Sequence, residues 1–219
     1  MKLLLDASGG GTIGENLPGA VIVVIGESAN RDQMKAFTPA YPYETTPWLS
    51  QEAEENNISL FPKAYANYPA TVPSLEMYLT SRNQYNGQSV SEAVTILDVA
   101  KAAGYETHWI SNQPQMGSGE MPNSVIAARA DTDGWTKIPM GDDRQVLELL
   151  EEIPKEGSHF IVIHLAGSHT CYAERVPDAM PVPDIPGKTE RERDYVRTIL
   201  YTDQVLADIY TYARQHLHL

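Results

Sequence analysis

The sequence predicts an α/β fold, a three-layer sandwich in which a central, mostly parallel sheet is flanked by helices. Three observations predict it. Residues 20–25 form a continuous β-branched run of strand length, the pattern of a strand covered on both faces in the middle of such a sheet. Later apolar runs alternate with helix-length segments, as a layered α/β architecture requires. The chain has 219 residues, 42% hydrophobic and 21% charged, which suits one domain with a proper core.

The elements follow in order. A Pro- and Tyr-rich loop, 37–43, comes after the first strand. Thr46-Pro47 then opens a helix to about Asn56, with a hydroxyl N-cap and proline in the first turn. Ile58 to Ala64 reads as a strand, and Thr71 to Leu79 as a helix with Pro73 in its first turn. Ser91 to Ala103 reads as a helix closed by Gly104, followed by a strand from Glu106 to Ser111. The Gly-, Pro-, Ser- and Met-rich stretch 113–132 reads as a long loop with room for one short helix. Asp142 to Ile153 is an amphipathic helix and His159 to Leu165 a buried strand. A Pro-rich loop, 176–187, leads to a long final helix from about Glu190 to Gln215. Residues 1–19 read as a flexible lead-in or an appended remnant, leaving one domain over 20–219.

Composition narrows the function. A net charge of −13 argues against a nucleic-acid surface, which needs clustered Lys and Arg. The acidic groups around Glu52-Glu54-Glu55 and Glu148-Glu151-Glu152 read as wet helix faces. The single cysteine, Cys171, allows no intrachain disulfide, which suits a reducing compartment or a disulfide-free extracytoplasmic domain equally. No stretch approaches the roughly 20 apolar residues of a membrane span, so the chain reads as soluble.

Candidate chemistry gathers at predicted strand ends, where open α/β sheets bind ligands. Glu27 follows the first strand directly, as either the solvated side chain of a Gly-Glu turn or a site carboxylate. Thr71 falls at a helix N-terminus, where free N–H groups and the helix dipole favour an anion. Its hydroxyl can cap the helix, or act as a nucleophile if a metal or base lowers its pKa. His164 and His169 flank the loop Leu-Ala-Gly167-Ser168 at another strand end, as satisfied core residues or as parts of a polar site. His108, His159, His216 and His218 carry no such context. Ser28 as an esterase nucleophile would need an Asp-x-x-His near the C-terminus, and neither Asp203 nor Asp208 has one. No Gly-x-Gly-x-x-Gly follows the first strand, which excludes a dinucleotide fingerprint.

Six motifs occur in order between residues 21 and about 208. They are Ile25-Gly26-Glu27-Ser28 with Arg31-Asp32, Thr45-Thr46-Pro47, Thr71-Val72-Pro73-Ser74, and Trp109-Ile110-Ser111-Asn112. His164-x-x-Gly167-Ser168-His169 with Tyr172 and Arg175, and Leu200-Tyr201-Thr202-Asp203, complete the set. With them the chain resembles the sulfatase-like catalytic domain of lipid A phosphoethanolamine transferases, part of the alkaline phosphatase superfamily that includes the lipoteichoic acid synthases.

The resemblance implies zinc as cofactor, with Glu27 and Thr71 as metal ligands and Thr71 as the nucleophile that carries phosphoethanolamine. It implies that His169 contacts the phosphoryl group, and that Asn112, His164 and Ser74 bind substrate. The implied donor is phosphatidylethanolamine and the implied acceptor an envelope glycolipid or glycan. The parent would be membrane-anchored, with this domain facing the periplasm or cell exterior. Phosphoglycerol transfer, sulfatase-like phosphohydrolysis, or non-catalytic binding of a phosphate ligand are the alternatives.

The sequence departs from the family in four places. Leu75 stands where sulfatases have Arg after Cys-x-Pro-Ser, and Thr170-Cys171 where members often have Gly-Pro. The family's Asp-His pair, in an Asp-His-Gly-Glu motif with a further His beyond, has no counterpart here, and neither has its membrane-spanning N-terminal half. The resemblance therefore implies a C-terminally truncated domain with an incomplete sheet and an incomplete metal site. Its exposed sheet edge would invite a homodimer.

Overall fold

The structure, a computed structural model, describes residues 19–115, 122–181 and 184–218; the lead-in, apart from Gly19, lies outside the described residues. Four parallel strands, β1 (Ala20–Ile25), β2 (Glu106–Ser111), β3 (Thr132–Trp135) and β4 (His159–His164), form one sheet in the order β1-β4-β2-β3. Among the described residues six α-helices accompany them: α1 (Pro47–Glu54), α2 (Thr71–Tyr78), α3 (Ile96–Ala102), α4 (Pro122–Ala127), α5 (Gln145–Glu151) and α6 (Glu190–His216).

The two-residue period of the strands sorts side chains into two cores. Ile22, Val24, Ile110, Ile161 and Ile163 point to one face, where Val146 and Leu150 of α5 and Val205, Ile209 and Ala213 of α6 cover them. Val21, Val23, Ile25, Trp109, Phe160 and Val162 point to the other, under Leu75, Leu97, Ala100 and Ile126 of α2, α3 and α4. The predicted three layers are thus present. Ile161, Val162 and Ile163 have no solvent exposure, and each such burial contributes about 1.5–3 kcal/mol.

Several local expectations are corrected. Among the described residues β1 is an edge strand, and β4 and β2 fill the middle. Its uninterrupted apolar run reflects helices over both faces, not a partner on both sides. No strand forms at 58–64, where Pro62 lacks a donor and Phe61 is 73% exposed. Instead the carbonyls of Pro62 and Ala64 accept from the Arg31 guanidinium. The helix expected from Ser91 begins at Ile96, because Thr95 and Asp98 form a reciprocal capping box there. The helix expected over 142–153 is confined to α5. The short helix allowed within 113–132 is α4, whereas β3, which begins at the last residue of that stretch, is unexpected. The Thr-Asp-Gly-Trp of β3 is a poor strand sequence that becomes an edge strand by pairing with β2.

Thr46 precedes α1 as expected but does not cap it, since its hydroxyl accepts from the Ala36 N–H. The cap comes from Asp203 of α6, whose carboxylate accepts from the N–H groups of Trp48 (2.8 Å) and Leu49 (3.1 Å).

Candidate active site

The C-terminal ends of β1, β2 and β4 and the start of α2 converge on a cavity of about 360 Å³. Glu27, Thr71, His164 and His169 line it, with Gln113, Asn123 and Trp135 among their neighbours. Glu27 is buried, and its Oε2 accepts the Thr71 hydroxyl at 2.6 Å. Its Oε1 accepts from the Ser28 hydroxyl, also at 2.6 Å, so Ser28 is spent orienting the carboxylate. Thr71 is the first residue of α2, and Ala70 holds the capping position without a side-chain cap. The Thr71 hydroxyl is therefore turned to Glu27 instead of capping its helix, beside the N–H groups of a first turn that have no intrahelical acceptor.

His164 closes β4 and is 2% exposed. Its Nε2 is buried with no hydrogen-bond partner among the described residues, in a cavity it shares with Glu27. Burial pushes its pKa down to about 4, against the opposing pull of the Glu27 charge. The folded value lies below the unfolded 6.5, so this neutral imidazole favours folding above pH 6.5 and that contribution is lost as pH falls towards 4. With metal chelated, unfolding of the natural chain should lose about 3 kcal/mol over that interval, a loss His164→Gln should not show. Denaturant titrations at several pH values check this, and parallel pH dependence in both chains would refute it.

The loop after β4 lies against Glu27. Gly167 has φ +52°, and a Cβ on it would stand 2.8 Å from the Glu27 nitrogen, so only glycine fits. The Ser168 N–H donates to the Glu27 carbonyl at 2.9 Å. Asp143, just before α5, holds the same loop. It accepts from the N–H groups of Ala166 (2.7 Å) and Gly167 (2.8 Å) and from the Asn112 amide (2.8 Å). Burial pushes Asp143 up while those three donors pull it down.

Of the six predicted site residues, the structure brings Glu27, Thr71, His164 and His169 together. Ser74 lies one turn along α2, donates to the Tyr68 carbonyl, and lines an adjoining cavity that also reaches Glu27 and Thr71. Asn112 is fully buried away from the lining. Its oxygen accepts from Thr136, and its nitrogen donates to Gly141 and Asp143. The Thr45-Thr46 and Leu200–Asp203 motifs also act as struts. Thr45 ties Lys35 to Gln33, Tyr201 donates to Asp142, and Asp203 caps α1. Sequence reading missed Asp143, Asn123 and Trp135. Only Asp143, an acidic residue in the first turn of the amphipathic helix expected from Asp142, left a trace in the sequence.

The donors at the cavity suit a zinc ion, which takes carboxylate, hydroxyl and imidazole ligands. Glu27 and Thr71 already place two oxygens 2.6 Å apart, and the unpartnered Nε2 of His164 lines the same cavity.

Comparisons with known proteins bear on the family and the fold. The family model described as Sulfatase matches residues 20–218. Phosphoethanolamine transferase EptC of Escherichia coli O18:K1:H7 is 29% identical over 212 residues, covering 89% of this chain and 36% of that protein. Phosphoethanolamine transferase CptA of Salmonella typhimurium is 28% identical over 199 residues, 86% of this chain and 33% of that protein. The chain thus spans about a third of the length of these curated relatives. The crystal structure of the C-terminal periplasmic domain of EcEptC from Escherichia coli superposes with a TM-score of 0.82 at 27% identity, covering 93% of this chain and 61% of that one. The same domain in complex with Zn gives 0.76 at 28% identity, covering 91% and 60%.

Proposed function

Because the chain belongs to the sulfatase family, we propose that it carries the catalytic site of a zinc-dependent phosphoethanolamine transferase. One observation carries the reading: the Thr71 hydroxyl, at the start of a helix, is 2.6 Å from a buried carboxylate at a strand end. Bound zinc, held by Glu27 and Thr71, would supply the positive charge that lowers the hydroxyl's pKa. The Thr71 proton passes to Glu27 Oε2, the atom that already accepts its hydrogen bond. Thr71 Oγ then attacks the phosphorus of phosphatidylethanolamine, the bond from phosphorus to the diacylglycerol oxygen breaks, and that oxygen takes a proton from solvent so that diacylglycerol leaves neutral.

His169, half-buried at the cavity, faces the phosphoryl group. His164 is neutral at physiological pH and serves as a hydrogen-bonding group, not a fixed cation. In the second half-reaction an envelope acceptor hydroxyl gives its proton to solvent and attacks the same phosphorus, the bond from phosphorus to Thr71 Oγ breaks, and Glu27 returns its proton to that oxygen. Two displacements through one covalent intermediate make the kinetics ping-pong.

The head group also has a place to go. Asn123 Oδ1 is a buried acceptor without a partner among the described residues, and the Trp135 ring lines the same wall. An ammonium group would satisfy that oxygen and lie against the aromatic side chain.

Among the described residues no helix is long and apolar enough to cross a membrane. The domain would reach its lipid donor as part of a membrane-anchored parent on the periplasmic side. Elemental analysis tests the metal directly. Glu27→Ala should lower zinc content by about one equivalent per chain. Unchanged zinc content would remove the metal from the proposed site.

A further inference from the structure

The sheet carries a second group of metal-type ligands at the end opposite Thr71. Glu106 and His159 open β2 and β4 and stand opposite each other in the strand register. His108, two residues along, points to the same side as Glu106 by the strand period. His108 Nε2 and His159 Nδ1 are 2.9 Å apart, and Glu106 Oε2 is 3.7 Å from that His159 nitrogen. One ligand atom from each of the three lies within 4.8 Å of the other two.

Both imidazoles are 2% exposed or less, and each is held from behind. The outer nitrogen of His159, Nε2, is 2.9 Å from the Glu156 carbonyl, which can only accept. His159 therefore carries its proton on Nε2 and presents a lone pair on Nδ1. The outer nitrogen of His108, Nδ1, is 2.7 Å from the Thr132 hydroxyl, which can donate or accept. His108 can thus hold its proton on Nε2, bonding His159, or on Nδ1, bonding Thr132. In the second tautomer two imidazole lone pairs and a carboxylate converge with nothing between them. Outer hydrogen bonds of this kind orient metal-ligating histidines.

We propose that Glu106, His108 and His159 form a second site for a divalent transition-metal ion, of the zinc type, clipping β2 to β4. Two ligands of a tetrahedral zinc ion lie about 3.3 Å apart, and the observed 2.9 Å and 3.7 Å fall either side of that spacing. Two histidines and one carboxylate leave one coordination position open. A cavity of about 320 Å³ adjoins the group, and the carboxylates of Glu106 and Glu152 in its lining favour a cation. The site shares no residue with the Glu27 cavity and stands independently of the transferase reading.

Zinc and cobalt titrations of the metal-stripped chain test it, beside Glu27→Ala, Glu106→Gln and His159→Gln. The Glu27→Ala chain should still bind one ion, with the visible absorption of tetrahedral cobalt and a raised melting temperature. Glu106→Gln should weaken that binding at least tenfold. Glu106 is half-exposed, so this variant keeps its fold, checked by circular dichroism. His159→Gln should abolish the binding. Equal affinity in the Glu27→Ala chain with and without Glu106→Gln would place the ion elsewhere, the terminal His216 and His218 included. No binding in Glu27→Ala at neutral pH would overturn the proposal outright.

Discussion

Thr71→Ala is expected to abolish the covalent intermediate and lower phosphoethanolamine transfer by at least about a thousandfold. The size follows from what is removed. The hydroxyl is the attacking atom, and among the described residues no other hydroxyl donates to Glu27 Oε2. The fold should survive, because Thr71 is half-buried and the substitution deletes one hydrogen bond, worth about 1 kcal/mol. Thr71→Ser keeps an oxygen at the same distance and should retain measurable transfer. Intact-mass analysis after incubation with phosphatidylethanolamine vesicles reads the result. A gain of one phosphoethanolamine group should appear on the natural chain and be absent from Thr71→Ala. The same adduct on Thr71→Ala would show that another residue is the nucleophile.

Asp143→Ala should be the most damaging single change to stability away from the apolar cores, at about 3 kcal/mol or more. It orphans three donors at once: the N–H groups of Ala166 and Gly167, and the Asn112 amide. Each unsatisfied buried group costs about 1–3 kcal/mol, and relief from burying a carboxylate offsets part of that sum. Asp143→Asn restores an acceptor on one side only, and its amide would face a donor on the other, so rescue should be partial. The site should suffer with the fold, because Gly167 and Ser168 buttress the Glu27 backbone. Denaturant unfolding measures the loss, and a cost below about 1 kcal/mol would mean the loop is held by other contacts.

Much of this was legible in the chain. The β-branched run ending in Glu27 announced a strand with a carboxylate at its functional end, and Thr71-Val72-Pro73 announced a helix start. Both survive because they are local: strand period, helix start and strand end are properties of consecutive residues. Where context decided, reading failed. The 58–64 run reads as a strand but pairs with none among the described residues, whereas Thr132–Trp135 lacks strand composition and becomes one beside β2. Thr46 has the chemistry of a cap, yet the cap comes from Asp203, 155 residues away from Trp48.

The motifs divide in the same way. Sequence order alone identified the set, but could not separate residues that face the cavity from residues that hold it. Asn112 reads like Glu27, a polar residue after an apolar strand. Only packing shows that its amide is consumed by Thr136, Gly141 and Asp143. His108 and His159, which carried no context in the chain, meet because their strands are neighbours in the sheet. What the sequence determined by itself was three of the four strands, most of the helices, and which polar residues stand at their ends. What only the tertiary structure decided was which polar side chains meet, because a hydrogen bond depends on distances of about 3 Å that residues far apart in sequence reach only after the chain has packed.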